Sequence, residues 1–239
     1  MSSLGPLLDV QDLDLSADKL RSKRAKLPER SALSANEAAI AALETVRAAA
    51  QAECDELARL ERELGAEVAT LATKAREVEK SLYSGTVTIA KELDSLNHEL
   101  GMWKQKREEA EERELELLER IETADAGLAE HAAKRGVLDE QHRALSAEIA
   151  RAEAAIDAEI GELESRAAPL RQALPAAALA MYDRLRASAR LVGRAAVALD
   201  SRMCGGCRVD LPVMEYRRIC DEPDGTVVQC VHCTRILIH

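Results

Sequence analysis

Between Leu93 and Leu174 the chain repeats a three-then-four spacing almost without a break. The seam begins Leu93, Leu96, Leu100, Trp103 and passes Leu117, Ile121, Leu128, Leu138, Leu145, Ile149, Ile156, Ile160 and Leu163 on its way to Leu170 and Leu174. A straight helix repeats every 3.6 residues, so a seam held near 3.5 over so many turns predicts a helix that supercoils around a partner. At ~1.5 Å per residue that helix would be about 120 Å long, which no globular core of this chain could surround. It reads as a lever or spacer, with the chemistry at its ends. Trp103, His131 and His142 fall on the seam, where partly buried register devices are the expected reading.

The partner lies upstream. Ile40, Leu43, Val46, Ala50, Cys54, Leu57, Leu60, Leu64, Val68, Leu71, Ala75, Val78 and Leu82 keep the same stepping, with charged residues between them. Tyr83-Ser84-Gly85-Thr86-Val87-Thr88 then reads as a turn, with Thr88 as N-cap of the next helix. Two heptad helices joined by so short a link are antiparallel neighbours, which sets residue 40 opposite about 132 and residue 13 opposite about 159. Val10, Leu13, Ala17, Leu20 and Leu27 extend the pattern toward the N-terminus. Pro28 interrupts it and starts a new helix.

The expected organisation is therefore mainly α: a long antiparallel coiled-coil hairpin over residues 1–175, a connecting helix over 176–193, and a small β-rich module over 194–239. Pro169 and Pro175 are expected to end the regular rod, and Ala176–Ala189 to form a short helix showing Leu179, Tyr182 and Leu185 on one face. Arg194–Leu199 reads as a strand. Composition agrees. Phe is absent, Trp103 is the single tryptophan and Tyr occurs three times, whereas a bulky core normally draws on aromatics.

Charge is unevenly spread. The net charge is −10, but residues 1–164 hold 22 Lys and Arg against 36 acids, while residues 165–239 hold 11 Arg against 7 acids. An acidic rod repels nucleic acid and anionic lipid, so polyanion contact is expected only at the tail. No apolar run suggests a membrane span, and residues 1–10 carry Asp9 and no basic run, unlike a signal peptide. A cytoplasmic protein is expected, and there paired cysteines usually mean metal.

Cys204-Gly-Gly-Cys207 and Cys230-Val-His-Cys233 are two C-x-x-C pairs. A C-x-x-C turn offers two thiolates from one knuckle, and two knuckles complete the tetrahedral set that Zn2+ prefers. Cys204, Cys207, Cys230 and Cys233 are the expected ligands of one structural zinc ion in a zinc ribbon. Four thiolates leave no open position for catalysis. Thr226–Gln229 and Thr234–Ile238 flank the second knuckle as strands of a hairpin, and Asp221–Gly225 absorbs the long spacing as a loop. Cys220 is a weaker candidate ligand, and Cys54 belongs to the seam. Arg184, Arg186, Arg190, Arg194 and Arg202 surround the module and are the candidate contacts for RNA, DNA or a protein partner; Tyr83 is the candidate at the turn. Against a nucleic-acid face, residues 200–239 balance five Arg with six acids, and Tyr216 is their one aromatic residue.

Leu82–Leu93 at the turn, Tyr182-Asp-Arg-Leu-Arg, and the tail Cys-x-x-Cys…Cys-x-x-Cys-x-Arg-Ile-Leu together resemble the bacterial C4-type zinc-ribbon family, in which a long helical hairpin precedes a C-terminal ribbon. The resemblance spans essentially the whole chain. It implies structural zinc at Cys204, Cys207, Cys230 and Cys233, no enzyme activity, and a nucleic-acid-binding or transcription-associated adaptor role. Thr234 departs from the family, standing where Gly commonly follows the last Cys. The rival expectation is a protein–protein scaffold that docks partners along the acidic coiled coil, with the ribbon as a folded cap. On either reading a monomer is expected. No convergent acid, base or nucleophile suggests an enzyme.

Overall fold

The computed structural model describes residues 3–239. Helix α1 spans Pro6–Ala25, α2 Pro28–Tyr83 and α3 Ala90–Gln172. A shorter helix, α4, spans Ala176–Arg186, and a 3-10 turn follows at Ala189–Leu191. The rest of the chain holds β1 (Ala196–Asp200), β2 (Met203–Cys204), α5 (Val213–Cys220), β3 (Val228–Gln229) and β4 (Ile236–Ile238). Pro6 and Pro28 each open a helix, where a missing N–H costs nothing. No helix among the described residues is long and apolar enough to cross a membrane. The chain divides into two compact units. One comprises residues up to Ser31 with Leu145–His239, the other Ala32–Ala144.

Within Ala32–Ala144, α2 and α3 run antiparallel. Leu57, Leu71, Ala75, Leu100, Ala110 and Leu117 are buried along the seam. Cross-helix ion pairs join Glu79 to Lys104 and Glu67 to Arg113, and Glu44 to Arg135. The register differs from the expected mirror. Glu67 should face residue 105 and Glu44 residue 128, yet their partners lie about two turns further along α3. The link explains the offset. The backbone bends at Ser84 and Gly85, and residues 86–89 follow without regular structure, so the chain travels on before α3 begins at Ala90. Thr88 does not cap that helix. The first N–H groups, of Glu92 and Leu93, are accepted by the carbonyl of Ile89.

Three seam residues are polar by design. The Nδ2 of buried Asn36 donates to the Leu138 carbonyl and to Gln141 Oε1. His142 Nε2 lies 3.5 Å from Glu37. Trp103 is half-buried, donates Nε1–H to Glu99, and carries the ammonium groups of Lys74 and Lys106 at 4.7 and 5.1 Å from its ring centre.

In the other unit, α1 lies antiparallel to the C-terminal half of α3 through Arg24–Asp157 and Arg21–Glu164 ion pairs. Pro169 does not end α3. The helix continues to Gln172, and Pro175 is the residue that stops it. Helix α4 likewise ends at Arg186, three residues short of the expected Ala189. The sheet has the order β2-β1-β4-β3. Strands β3 and β4 form the expected antiparallel hairpin around the second knuckle, whereas β1 pairs with β4 in parallel and with β2 antiparallel.

Strand β4 is buried on both faces. Ile236 and Ile238 join Leu4, Leu7, Val10, Leu174, Ala178 and Tyr182 in one core, while Leu237 joins Leu211, Ile219, Val228, Cys204 and Cys230 in another. The N-terminal segment completes the sheet itself. The Ala196 N–H donates to Gln11 Oε1 and Gln11 Nε2 donates to the Ala196 carbonyl, so a buried side-chain amide stands in for a neighbouring strand. The Ser3 N–H and hydroxyl both donate to Asp224.

Candidate metal centre

The two knuckles are built alike. In each, the first cysteine's carbonyl accepts the N–H of the residue four positions on, Arg208 at 2.8 Å and Thr234 at 2.9 Å. Its own N–H donates to the carbonyl five positions on, Val209 or Arg235. This curl turns the backbone N–H groups inward and requires a left-handed residue just after the second cysteine. Arg208 takes φ +58° and Thr234 φ +63°, a conformation that disfavours any residue with a Cβ, and most of all a β-branched one. Thr234 is held there by its contacts, since its hydroxyl donates to the Cys233 carbonyl and accepts from Arg190 Nη2. The glycines of the first knuckle answer to close approach. A Cβ on Gly205 would come within 2.7 Å of the Ala198 carbonyl oxygen on β1, and one on Gly206 within 2.8 Å of Arg235.

The four sulfurs lie within 4.8 Å of one another. Cys204 Sγ is 3.8 Å from Cys233 Sγ, and Cys207 Sγ is 3.8 Å from Cys230 Sγ. These separations are far too long for disulfides, whose S–S bond is ~2.05 Å. They match the edge of a regular tetrahedron with arms of ~2.3 Å, which is about 3.8 Å and is the geometry of a tetrathiolate metal site. The arrangement can hold a metal ion. Cys204 and Cys230 are buried, and Cys207 and Cys233 are partly exposed. Burial pushes the Cys204 thiol up and the Cys230 thiol up to about 12. Burial also acts to raise Cys233, but hydrogen bonds from the Arg235 backbone and side chain outweigh it and bring that thiol down to about 7. Cys220 stands apart, exposed at the end of α5 beside Tyr216.

The arginines fare unequally. Arg186 is tied to Asp18 at 2.7 Å, and Arg190 donates to Thr234, so both are engaged within the fold. Arg184 reaches only the Met181 sulfur, and neither Arg194 nor Arg202 forms an ion pair among the described residues. Sequence reasoning missed what Arg186 meets. Asp14 is half-buried between Arg171 (2.7 Å) and the Tyr182 hydroxyl (2.8 Å), with Arg186 at 3.7 Å. Burial and the Asp14 hydrogen bond push the Tyr182 hydroxyl well above the usual phenol range. Tyr83 is exposed at the end of α2.

Residues 10–190 match the CT398-like coiled coil hairpin domain, and the chain belongs to that family. Among its relatives is an uncharacterised protein of Mycobacterium tuberculosis, Rv2229c, 28% identical over 97% of this chain and 93% of its own length. Two solved structures share the fold. A Mycobacterium smegmatis protein has a TM-score of 0.79 at 22% identity, covering 100% of this chain and 99% of its own. CT398 of Chlamydia trachomatis has a TM-score of 0.66 at 19% identity, covering 98% and 96%.

Proposed function

We propose that this protein is a non-enzymatic adaptor in which Cys204, Cys207, Cys230 and Cys233 hold one structural zinc ion and the ribbon is the partner-binding module. The sulfur tetrahedron supports zinc, because a closed set of four thiolates suits a structural ion and leaves no place for substrate. The partner in this reading is a protein of the transcription machinery. The observation that carries it is the apolar surface left outside the ribbon: Met203, Val209, Val213 and Met214 are exposed within twelve consecutive positions. Such residues fit a protein contact better than a phosphate backbone.

A second reading, RNA or DNA binding, draws on Arg184, Arg194 and Arg202, which form no ion pair among the described residues. One measurement tests the zinc, and two more separate the readings. Metal analysis of pure protein should return one zinc per chain. A photo-crosslinker at Met214 should capture one discrete protein, and binding of labelled RNA or DNA should be absent at low salt. Nucleic-acid binding that weakens with salt and is lost in an Arg184→Glu, Arg202→Glu variant would establish the second reading instead.

A further inference from the structure

The hairpin unit segregates its charge. From Lys74 to Arg107, around the link, seven basic residues stand against five acids; from Glu108 to Glu130 two arginines stand against ten acids. The separation is laid out along one flank. The Lys104–Glu79 pair bridges one side of the two helices at 3.4 Å, and the Arg113–Glu67 pair bridges the other at 3.1 Å. Stepping from Glu79 by three back and four on reaches Arg76 and Tyr83 on the first side of α2. Stepping four, three, four, three from Lys104 reaches Glu108, Glu111, Leu115 and Leu118 on the same side of α3.

This flank is open and under-used. Tyr83 is 77% exposed, Leu115 64% and Leu118 45%. Arg76, Lys80 and Glu108 are exposed and make no ion pair among the described residues. An apolar pair framed by acids and an aromatic framed by cations therefore share one surface, about 30 Å apart at ~1.5 Å per helical residue.

We infer that this flank is the interface of an antiparallel homodimer. Tyr83 of one copy packs on Leu115 and Leu118 of the other, and Arg76 and Lys80 face Glu108; the two-fold axis repeats both contacts. A self-complementary patch is what a two-fold interface demands, since each copy supplies the same surface. Complementary charge selects the occupant. An acidic segment of another protein would match the basic end but leave the two leucines uncovered, whereas a second copy covers both. The overlap would be about 35 Å by ~20 Å, or ~700 Å² per copy, slightly under the ~800 Å² of a standard interface, so the dimer is weak and sensitive to salt.

Sedimentation velocity on the full chain, from low micromolar to several hundred micromolar, tests it. A dimer should appear with concentration at low salt and dissociate as salt rises. Tyr83→Glu should weaken it about tenfold or more, as should Arg76→Glu with Lys80→Glu. Adding Glu108→Lys to that charge-reversed pair should restore association. All these positions are exposed, and unchanged helicity by circular dichroism confirms that each variant is folded. A monomer at every concentration, a dimer that the substitutions leave intact, or a charge reversal that fails to restore it overturns the inference.

Discussion

Along Ala32–Ala144 burial comes one residue at a time. Leu57, Leu71, Leu100 and Leu117 are each covered by the facing helix, while the charged residues around them remain in water. Around the cysteines, burial is collective. Leu7, Val10, Ala178, Tyr182 and Ile236 meet in one cluster, and Leu211, Ile219 and Leu237 meet beneath the thiols in a second. A two-helix seam adds its stability in increments, and damage to it stays local. The C-terminal module is too small to be held by apolar area alone and depends on a few decisive links: the metal site, the Asp14 network and the Gln11 amide.

Breaking the metal site should expose the contrast most sharply. Structural zinc in small domains supplies on the order of 10 kcal/mol of apparent folding free energy. Cys230→Ser, or stripping metal with a chelator, should unfold the sheet and α5 while the hairpin helices persist. Far-ultraviolet circular dichroism should hardly change, and the dispersed NMR signals of Val228, Ile236 and Leu237 should collapse. Equal loss of helicity throughout would show that the two regions are not held independently.

Asp14→Ala comes next. It leaves the Arg171 and Arg186 guanidinium groups and the Tyr182 hydroxyl without their shared acceptor, in a site where Asp14 is 13% exposed and Arg186 23%. Removing one partner from a buried charged network costs about 3–5 kcal/mol, much of it from the charge left behind. Chemical denaturation followed by the NMR signal of Tyr182 reads the effect. An exposed pair such as Lys104–Glu79 offers the comparison, and breaking it should cost about 0–1 kcal/mol.

A matched pair of truncations sharpens the contrast further. Leu7 and Leu57 are both almost fully buried. Leu7 is enclosed from several directions, so Leu7→Ala should lose transfer free energy and leave a cavity, about 4 kcal/mol in all. At Leu57 the gap lies on a two-helix seam that water and neighbouring side chains can enter, so the loss should be nearer ~2 kcal/mol. Denaturation midpoints of the two variants, taken with the hairpin and sheet signals separately, decide this. Equal losses would mean that the seam packs as tightly as the core.

The sequence displayed the parts that obey a local rule. Three-four stepping marked α2 and α3, Pro28 marked a helix start, and the two C-x-x-C pairs marked residues whose sulfurs do converge to 3.8 Å. What it concealed was long-range. Nothing local to Gln11 shows that its amide will bond Ala196, 185 positions away, and nothing near Arg186 points to Asp18. Helix α5 is only eight residues long and lies between the knuckles, where no helix was expected; the loop expected at Asp221–Gly225 follows it. The two-turn register offset escaped because Ser84-Gly85 looks like a tight turn, whereas four residues without regular structure follow it before α3 begins. Thr234 is the reverse case. Its departure from Gly was visible, but only the backbone shows that it adopts a positive φ and that its hydroxyl receives Arg190.

The smallest expected effect bears on why a seam that gains by increments should tolerate a buried amide. Asn36 is 7% exposed; its Nδ2 finds two acceptors, but its Oδ1 has no hydrogen-bond partner among the described residues. An apolar side chain there would remove an unsatisfied buried acceptor and add apolar contact, so Asn36→Leu should stabilise the hairpin by about 1 kcal/mol. The amide also penalises sliding. Shifted by one heptad toward His131, it would trade Gln141 for Lys134, a donor that its Nδ2 cannot use, and a single buried polar residue can fix coiled-coil register in this way. Asn36→Leu should therefore raise the denaturation midpoint and simultaneously broaden the distance between spin labels placed across the seam at the exposed Val46 and Val137, which leaves the ion pairs intact. A higher midpoint with an unchanged, narrow distance would mean that the ion pairs and the link set the register without Asn36.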